Sequence, residues 1–359
     1  MPSSGPVRRP TQAEIGRLAG VSQATVSLVL NDRAESISPE TRARVQDVIR
    51  RWGYVANPIA RSLVGGRNRI IGVYTFESVF PMDGEDFYFP FLVGVEREAE
   101  RLGYDLLMFT SVGGDRLMFR DGATRLRLAD GALLLGRHPK IEEIERLRDM
   151  DYPFVYIGRR EVRGRAISYV TADYAVATRQ VTEHLVKLGH RRLAYVRMGD
   201  GADESARDRE QGFRSAVQDA EIGAGRAGLW SLSDLHELPS FFEEALTSGV
   251  TALVVEQQKI AEELQLMCKD TPVTIPHSLS VAVLGDSIEA GRHDTDWAGF
   301  NVPRHQMGVE ATQLLMRLLE DPSAGPFTTS IPCNLVQGTT VAAPPNSASG
   351  PARKKGSSR

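Results

Sequence analysis

Residues 11–30 have the sequence TQAEIGRLAGVSQATVSLVL. Thr11 and Glu14 have the spacing of a capping box, which predicts that a helix begins after Thr11. Gly20 can adopt a left-handed backbone conformation and predicts a tight turn. Ser22 can then cap a second helix. Two short helices joined by a three-residue turn are typical of a helix-turn-helix, whose second helix enters the DNA major groove.

The apolar side chains of this stretch predict one buried face on each helix. We expect Ile15, Leu18 and Ala19 to face inward from the first helix, and Val26, Val29 and Leu30 from the second, over 23–30. An ordinary helical hairpin has the same pattern, so the following residues are needed to decide between the two interpretations.

A third helix is predicted after Ser38, because Ser38 can cap it and Pro39 suits its first position. We expect this helix to pack across the first two through the apolar side chains Val45, Val48, Ile49 and Trp52. A further helix over 57–64 begins at Asn57 and is ended by two glycines. It is too short to be stable alone, so we expect it to fold only when something holds it.

These segments read TQAEIGRLAGVSQATVSLVLN, ISPETRARV, WGYVANPIARSL and, further on, IIGV, and together they resemble the LacI/GalR family of transcriptional regulators. The resemblance is dense over about the first seventy residues and weaker up to Val341. It implies that 57–64 is the hinge helix, which orders on operator DNA and pairs with its dimer mate. Leu63 falls on the leucine that wedges into the minor groove, and Ala60 on the small residue that lets two hinge helices approach.

The DNA-binding residues expected from pattern and resemblance lie in the helix-turn-helix and the hinge. We expect Gln23 and Ala24 to make most of the base contacts, and Thr25 and Ser27 to contact phosphates. Leu28 stands where the family often has arginine, so it can make only apolar contacts, for example to a thymine methyl group. The full expected set is Thr11, Ser22, Gln23, Ala24, Thr25, Ser27, Leu28, Asn57, Ala60 and Leu63.

Charge is distributed unevenly along the 359 residues, although the formal net charge is only −3. Residues 1–69 carry a net +6, residues 344–359 carry +4, and the remainder carries −13. A basic head on an acidic body favours oriented binding to a polyanion. The last stretch, PPNSASGPARKKGSSR, is rich in Pro, Ser and Gly and is expected to be disordered.

Several function classes find no support in the sequence. No apolar run reaches the ~18 residues of a membrane span, and the polar start lacks the apolar core of a signal peptide, so we expect a cytoplasmic protein. Neither a dinucleotide-binding nor a phosphate-binding glycine motif is present. The segment His293-Asp294-Thr295-Asp296 is interpreted as a solvated loop, and we expect no catalytic residue, metal or cofactor.

After residue 69 the pattern alternates between strands and helices. Buried strands are predicted at Ile70–Thr75, Asp105–Phe109, Gly131–Leu135 and Phe154–Ile157, with a helix at Phe89–Leu102. After Tyr174 the order repeats, with strands over 192–196, 228–231, 252–255 and 280–284 and helices over 174–188, 207–220, 238–248 and 260–268. This α/β pattern predicts parallel sheets covered by helices on both faces. Two such lobes leave a ligand cleft at the carboxyl ends of their strands.

The resemblance implies the same architecture, a small all-α head followed by a two-lobed domain similar to periplasmic sugar-binding proteins. It places crossings between the lobes near Leu188, Ala298 and Pro326. The expected organisation is a flexible start (1–10), the helix-turn-helix domain (11–56), the hinge (57–69), the two-lobed domain (70–343) and the tail (344–359). Lobe 1 comprises 70–188 and 299–326, and lobe 2 comprises 189–298 and 327–343.

Individual cleft residues follow from the resemblance. Phe87 and Tyr88 fall on effector-contacting positions and could stack on a sugar or base, or could pack under a loop. Ser205 and Arg209 lie in a stretch where the arginine binds the effector, through a planar set of donors that suits vicinal hydroxyls or a carboxylate. Trp230 either stacks on the effector or is an ordinary core tryptophan.

The cleft departs from the family pattern at several positions. Gln257-Gln258 replaces the usual Asn-Asp, and Gly285 replaces the aspartate that binds the ligand. Asp286 could substitute for it, and Gln337 stands where an arginine is common. The resemblance implies an effector that is a sugar or sugar derivative rather than a purine, and these departures also allow a cleft that has lost small-molecule control.

Taken together, the sequence predicts a homodimeric transcriptional regulator, a repressor rather than an activator. Two heads would bind a palindromic site on double-stranded DNA, and a small-molecule effector would control affinity. The alternative is an α/β enzyme that processes sugars or nucleotides and has gained a DNA-binding head. A transport component would require export.

Overall fold

The DNA-binding head consists of three helices around a small apolar core. The computed structural model describes residues 10–30, 37–54, 67–77, 87–109, 117–120, 122–223, 225–285 and 295–345. In the head these form α1 (Gln12–Ala19), α2 (Gln23–Leu30) and α3 (Pro39–Trp52). The head belongs to a compact unit that ends at Ile70 and includes Leu126–Asp130, and a larger unit begins at Ile71.

Local sequence signals place the ends of these helices. The capping box is formed, since the Glu14 amide donates to Thr11 Oγ1 at 3.3 Å and the Thr11 amide donates to the Glu14 carboxylate at 2.7 Å. Gly20 ends α1 in the left-handed conformation with φ of 65°. Ser38 caps α3 by accepting from the Thr41 amide at 3.3 Å.

The predicted packing of the head is correct for its centre and wrong at two positions. Ile15, Val26 and Val45 are fully buried. Leu18 is 42% exposed and Trp52 is 55% exposed, although both were expected to face inward. The reason for Leu18 is that Ile15 and Ala19, one turn apart, already fill the buried side of a two-turn helix. Trp52 lies in the last turn of α3, where Tyr54 packs on the core instead.

The larger unit contains two six-stranded sheets. The first has the strand order β13-β7-β6-β5-β1-β2, and the second has β14-β12-β11-β10-β8-β9. The strands of the first sheet are β1 (Ile70–Thr75), β2 (Asp105–Phe109), β5 (Gly131–Leu135), β6 (Phe154–Ile157), β7 (Tyr169–Ala172) and β13 (Thr328–Ile331). Those of the second are β8 (Leu193–Met198), β9 (Ala227–Leu232), β10 (Ala252–Val255), β11 (Ser280–Leu284), β12 (Ala298–Asn301) and β14 (Asn334–Val336). A short hairpin pairs β3 (Phe119–Arg120) with β4 (Ala123–Thr124).

Helices cover both faces of each sheet, as the pattern of buried strands predicts. The helices of this unit are α4 (Phe89–Leu102), α5 (Ile141–Asp149), α6 (Tyr174–Lys187), α7 (Glu204–Asp219), α8 (Leu238–Thr247), α9 (Gln258–Cys268) and α10 (Arg304–Glu320). Tyr195 of β8 packs toward Phe213 on one face, while Val196 joins Phe241 and Phe242 in the core on the other.

The chain crosses between the two lobes at different points from those expected. Helix α6 packs on α7 of the second lobe, so the first crossing precedes Tyr174 rather than lying near Leu188. Strand β12 belongs to the second sheet and β13 to the first. The other crossings therefore follow Asn301 and Ile331, a few residues after the expected 298 and 326. Periodicity identifies a strand but does not say which sheet it joins.

Candidate DNA-binding surface and effector cleft

The second helix of the helix-turn-helix presents a mixed small and polar surface. Gln23, Ala24 and Leu28 are exposed, and Thr25 and Ser27 are half-buried. Ser22 caps this helix by accepting from the Thr25 amide at 3.1 Å. This arrangement leaves the start of α2 accessible, which is the part that contacts base edges in helix-turn-helix proteins. The expected hinge residues Asn57, Ala60 and Leu63 lie outside the described residues.

Arg209 lies at the centre of a buried polar cluster in the second lobe. Its Nε donates to the carbonyl of Leu284 at the end of β11, at 3.1 Å. Its guanidinium lies over the ring of Tyr174, 3.9 Å from the centroid. Its Nη1 is 3.7 Å from Oε1 of Glu256, which follows β10. The ends of two neighbouring strands and the starts of two helices thus meet at one cation.

The first turn of α7 brings further polar groups toward Arg209. Asp203 caps the helix by accepting from the Ala206 amide at 2.9 Å, and the hydroxyl of Ser205 donates to the same carboxylate at 2.6 Å. Burial opposes ionisation of Asp203. These hydrogen bonds, with the charges of Arg137 and Arg209, nevertheless lower the pKa of its carboxyl group. Asp203 is therefore an anion in the cleft at neutral pH.

Phe87 and Tyr88 lie at the corresponding edge of the first lobe. The two rings meet edge to face with centroids 5.0 Å apart, and the guanidinium of Arg304 lies 4.8 Å from the centroid of Phe87. Tyr88 is buried and donates its hydroxyl to Glu77, just after β1. Burial opposes ionisation of Glu77. Hydrogen bonds from Tyr88, His138 and the Arg137 amide lower the pKa of its carboxyl group.

The remaining expected effector residues do not all join the Arg209 cluster. Gln257 accepts from the Met198 amide at 2.9 Å and so links the ends of β10 and β8. Trp230 is half-buried and packs on Phe241, with centroids 5.4 Å apart, against the apolar core that contains Val196 and Phe242. Asp286 lies outside the described residues.

Ion pairs join the lobes beside this cluster. Arg159 of the first lobe pairs with Asp208 of α7 at 2.6 Å. Arg160 pairs with Glu204 at 3.3 Å, and the Glu161 amide also donates to Glu204 at 2.9 Å. These contacts reach the first two turns of the helix that carries Arg209. The contacts between the lobes and Arg209 therefore lie on the same helix.

Sequence reasoning missed Glu77, Glu256 and the arginines 159 and 160. Glu77 and Glu256 come just after the apolar strands β1 and β10. Polar residues at the carboxyl ends of parallel strands commonly face a ligand cleft. A polar residue just after an apolar strand is therefore the sequence signal that identifies both. The arginine pair carried no comparable signal, because its partners lie some 45 residues further along the chain.

Two absences concern only the part of the chain that the structure describes. Within it, no His, Cys, Asp and Glu residues form a group of three or more able to hold a metal ion. No helix in the same part is long and apolar enough to cross a lipid bilayer.

Comparison with known proteins identifies the family. Residues 11–57 match the model of the lacI family of bacterial regulatory proteins. Residues 76–230 match the periplasmic binding proteins and sugar binding domain of the LacI family, and residues 182–341 a periplasmic binding protein-like domain. The ribose operon repressor of Escherichia coli K12 is 30% identical over 337 residues, which cover 87% of this chain and 94% of the repressor. The chain belongs to the LacI family.

Other relatives extend this assignment to the whole fold. The transcriptional regulator CelR of Thermobifida fusca is 29% identical over 86% of this chain and 92% of its own length. A CelR–cellobiose complex has a TM-score of 0.63 and 25% identity, covering 92% of this chain and all of that structure. The lac repressor dimer bound to operator and the anti-inducer ONPF has a TM-score of 0.71 over 94% of this chain and all of that one, at 20% identity. The protein is therefore a DNA-binding transcriptional regulator of LacI type, and its relatives are regulators rather than enzymes.

Proposed function

We propose that this LacI-family regulator represses transcription as a homodimer on a palindromic operator, and that a sugar or sugar derivative bound between the lobes controls its affinity for DNA. The observation that carries the proposal is the position of Arg209 at the carboxyl end of β11. Arg209 lies on α7, the helix that is also ion-paired to the first lobe through Asp208 and Arg159. Ligands of open α/β sheets bind at this edge. The similarity to the ribose operon repressor and to the CelR–cellobiose complex favours a sugar as the effector.

The mechanism is a linkage between two sites. An effector that bridges the lobes changes the angle at which they meet. This would move the two hinge segments of the dimer, over 57–64, apart or together, and hinge ordering would alter operator affinity. Two heads are needed because a single helix-turn-helix makes too few contacts for operator specificity.

DNA recognition is tested by selecting bound fragments from a random library and measuring their affinity by fluorescence anisotropy. Gln23→Ala should weaken binding to the selected site about 5- to 150-fold, the loss of one good base contact of 1–3 kcal/mol. The matched control is Gln46→Ala, an exposed glutamine on α3. A selected sequence without two-fold symmetry would contradict binding as a homodimer to a palindrome, and equal losses for the two variants would contradict the assignment of α2.

The hinge assignment has its own test. Leu63→Ala should weaken operator binding while it spares much of the salt-dependent binding to random DNA, which depends on phosphate contacts. Equal losses on both DNAs would contradict a minor-groove role for Leu63.

Effector binding is tested by thermal shift against sugars, sugar phosphates, nucleobases and nucleosides. A ligand at 100 times its dissociation constant should stabilise the fold by about 2.7 kcal/mol. Arg209→Ala should abolish the shift, whereas Arg214→Ala, an exposed arginine on the same helix, should retain it. A shift that survives in Arg209→Ala would move the effector away from this cleft.

A further inference from the structure

Gly285 leaves a carboxylate missing beside Arg209. A Cβ atom on this residue would lie 4.0 Å from Nη2 of Arg209, but Gly285 has a φ of 142°, which residues with a side chain rarely adopt. Glycine supplies no such group. The ligand-binding pair of arginine and aspartate that the family resemblance implies is therefore incomplete at this position.

Glu256 supplies a carboxylate to the same guanidinium from the adjacent strand. Its Oε1 is 3.7 Å from Nη1 of Arg209, and the two side chains are only 6% and 11% exposed. Its Oε2 accepts a hydrogen bond from the hydroxyl of Tyr195 at 2.9 Å. Its backbone amide donates to the carbonyl of Val196, which continues the pairing of β10 with β8. The carboxylate is thus fixed in position before any ligand arrives.

The fixed carboxylate determines what else Arg209 can bind. Its Nε is already bonded to the Leu284 carbonyl and its planar face covers Tyr174. Within the described residues neither Nη1 nor Nη2 makes a hydrogen bond, because the 3.7 Å between Nη1 and Glu256 is an ion-pair distance. Nη2 can donate to a ligand oxygen while Oε1 of Glu256 accepts from a neighbouring hydroxyl. Adjacent hydroxyls of an uncharged sugar provide one acceptor and one donor, which matches this pair.

An anionic ligand meets a different balance of charge. Arg209 is already paired with Glu256. The ionised Asp203, the N-cap of α7, lies close enough to interact with Arg209 and is 3.8 Å from Arg137. A ligand carboxylate or phosphate placed on Arg209 would bring another negative charge close to Glu256, whose side chain is only 6% exposed. Like charges brought together in a buried site repel more strongly than they do in water.

We infer that Glu256 is a specificity-determining residue that makes this cleft select an uncharged sugar over the corresponding sugar acid or sugar phosphate. This inference rests on the proposed effector function of the same cleft. Glu256 takes the part of the missing aspartate as hydrogen-bond acceptor, and it also neutralises Arg209 before the ligand binds.

The test compares matched ligand pairs by isothermal titration calorimetry on the full chain. The pairs are ribose with ribose 5-phosphate, glucose with gluconate, and cellobiose with cellobionate. Wild type should bind the neutral member of at least one pair ten or more times more tightly. Glu256→Gln keeps the shape and removes the charge, so it should reduce that ratio at least tenfold. Glu243→Gln, an exposed glutamate on α8, is the matched control and should leave the ratio unchanged.

The other outcomes distinguish a failure of the role of Glu256 from a failure of the sugar-effector proposal. Tighter binding of the anionic member by wild type, or an unchanged ratio in Glu256→Gln, would overturn the role of Glu256 and leave the effector cleft in place. No binding of any pair would overturn the sugar-effector proposal and this inference with it. If Glu256→Gln does not fold, Glu256→Asp replaces it. That variant keeps the charge and should retain the preference for the neutral member with weaker affinity.

Discussion

At the scale of single residues, His190 shows how one buried side chain makes stability depend on pH. Its Nε2 lies 2.8 Å from the carbonyl of Ala342, which can only accept, so Nε2 carries the proton. Nδ1 lies 2.8 Å from the hydroxyl of Thr251 and can accept from it. Burial is the largest effect on this ring and lowers the pKa of His190 below its usual 6.5. The folded protein therefore holds His190 in the neutral form.

We expect the free energy of unfolding to fall as the pH drops below 6.5. The unfolded chain then binds a proton on this imidazole before the folded protein does, and stability is lost until the folded pKa is passed. His190→Gln keeps an N–H for the Ala342 carbonyl but does not titrate. Urea denaturation between pH 7.5 and 5.0 should give a smaller decline for this variant, and equal declines would contradict the assignment.

Residues also show where sequence reasoning succeeds and fails. The cap at Thr11 depends on two side chains three residues apart, so it could be predicted from local sequence. Whether Trp52 is buried depends on what lies beside the end of α3, and Tyr54 takes that place. Glu256 acquires its role through Tyr195 and Arg209, which are distant in sequence, and its own neighbours give only its position at a strand end.

At the scale of secondary-structure elements, the first lobe depends on a close approach of α4 and α10. A Cβ on Gly94 would lie 2.1 Å from the carbonyl oxygen of His305, and one on Gly308 would lie 2.2 Å from that of Phe91. Both obstacles are backbone atoms, which cannot move aside as a flexible side chain can. The two glycines thus let the helices touch along their backbones.

Gly94→Ala and Gly308→Ala should each lower the free energy of unfolding by roughly 1–3 kcal/mol or more, the usual cost of overpacking. Gly223→Ala is the matched control, because a Cβ there meets nothing within 4 Å and its backbone needs no positive φ. It should change stability by less than about 0.5 kcal/mol. Chemical denaturation of the three variants measures these changes. An unchanged free energy of unfolding in Gly308→Ala would show that α4 and α10 can move apart without loss of stability.

The ion pairs between the lobes act at the same scale. Arg159 and Asp208 are about one-quarter and one-fifth exposed, so solvent screens their attraction only in part. A double-mutant cycle with alanine should give a coupling free energy of roughly 0.5–3 kcal/mol. The exposed pair Arg179–Asp219 within the second lobe should give less, about 0–1 kcal/mol. Equal coupling in the two cycles would show that the interlobe pair is as weak as a surface pair.

At the scale of the whole molecule, the order of elements follows from the sequence more directly than their assembly. Many element positions follow from apolar patterns, and β1, β2, β5, β6, β10 and β11 lie where they were predicted. Strands β7, β12, β13 and β14 and helices α5 and α10 were not predicted from the sequence. Which sheet β12 or β13 joins depends on partner strands far along the chain. The predicted crossings between the lobes therefore differ from the observed ones. Long-range pairing leaves no periodic trace in the local sequence.

We propose that ligand binding in the effector cleft and operator binding by the head influence each other. Coupling of this kind is typically about 1–3 kcal/mol, or a 5- to 150-fold change in affinity, and it is reciprocal. Its physical basis here would be the change in lobe angle when a ligand contacts Arg209 on one lobe and the Phe87 edge on the other.

The most direct test is to titrate the selected operator with the regulator by fluorescence anisotropy, with and without the sugar that stabilises it. We expect the sugar to change operator affinity at least 5-fold in wild type and in Arg214→Ala, and to leave it unchanged in Arg209→Ala. In the same way, operator DNA should change the sugar's dissociation constant by the same factor. Identical operator affinity with and without bound sugar in wild type would contradict the account, since the cleft would then bind a ligand without controlling DNA binding.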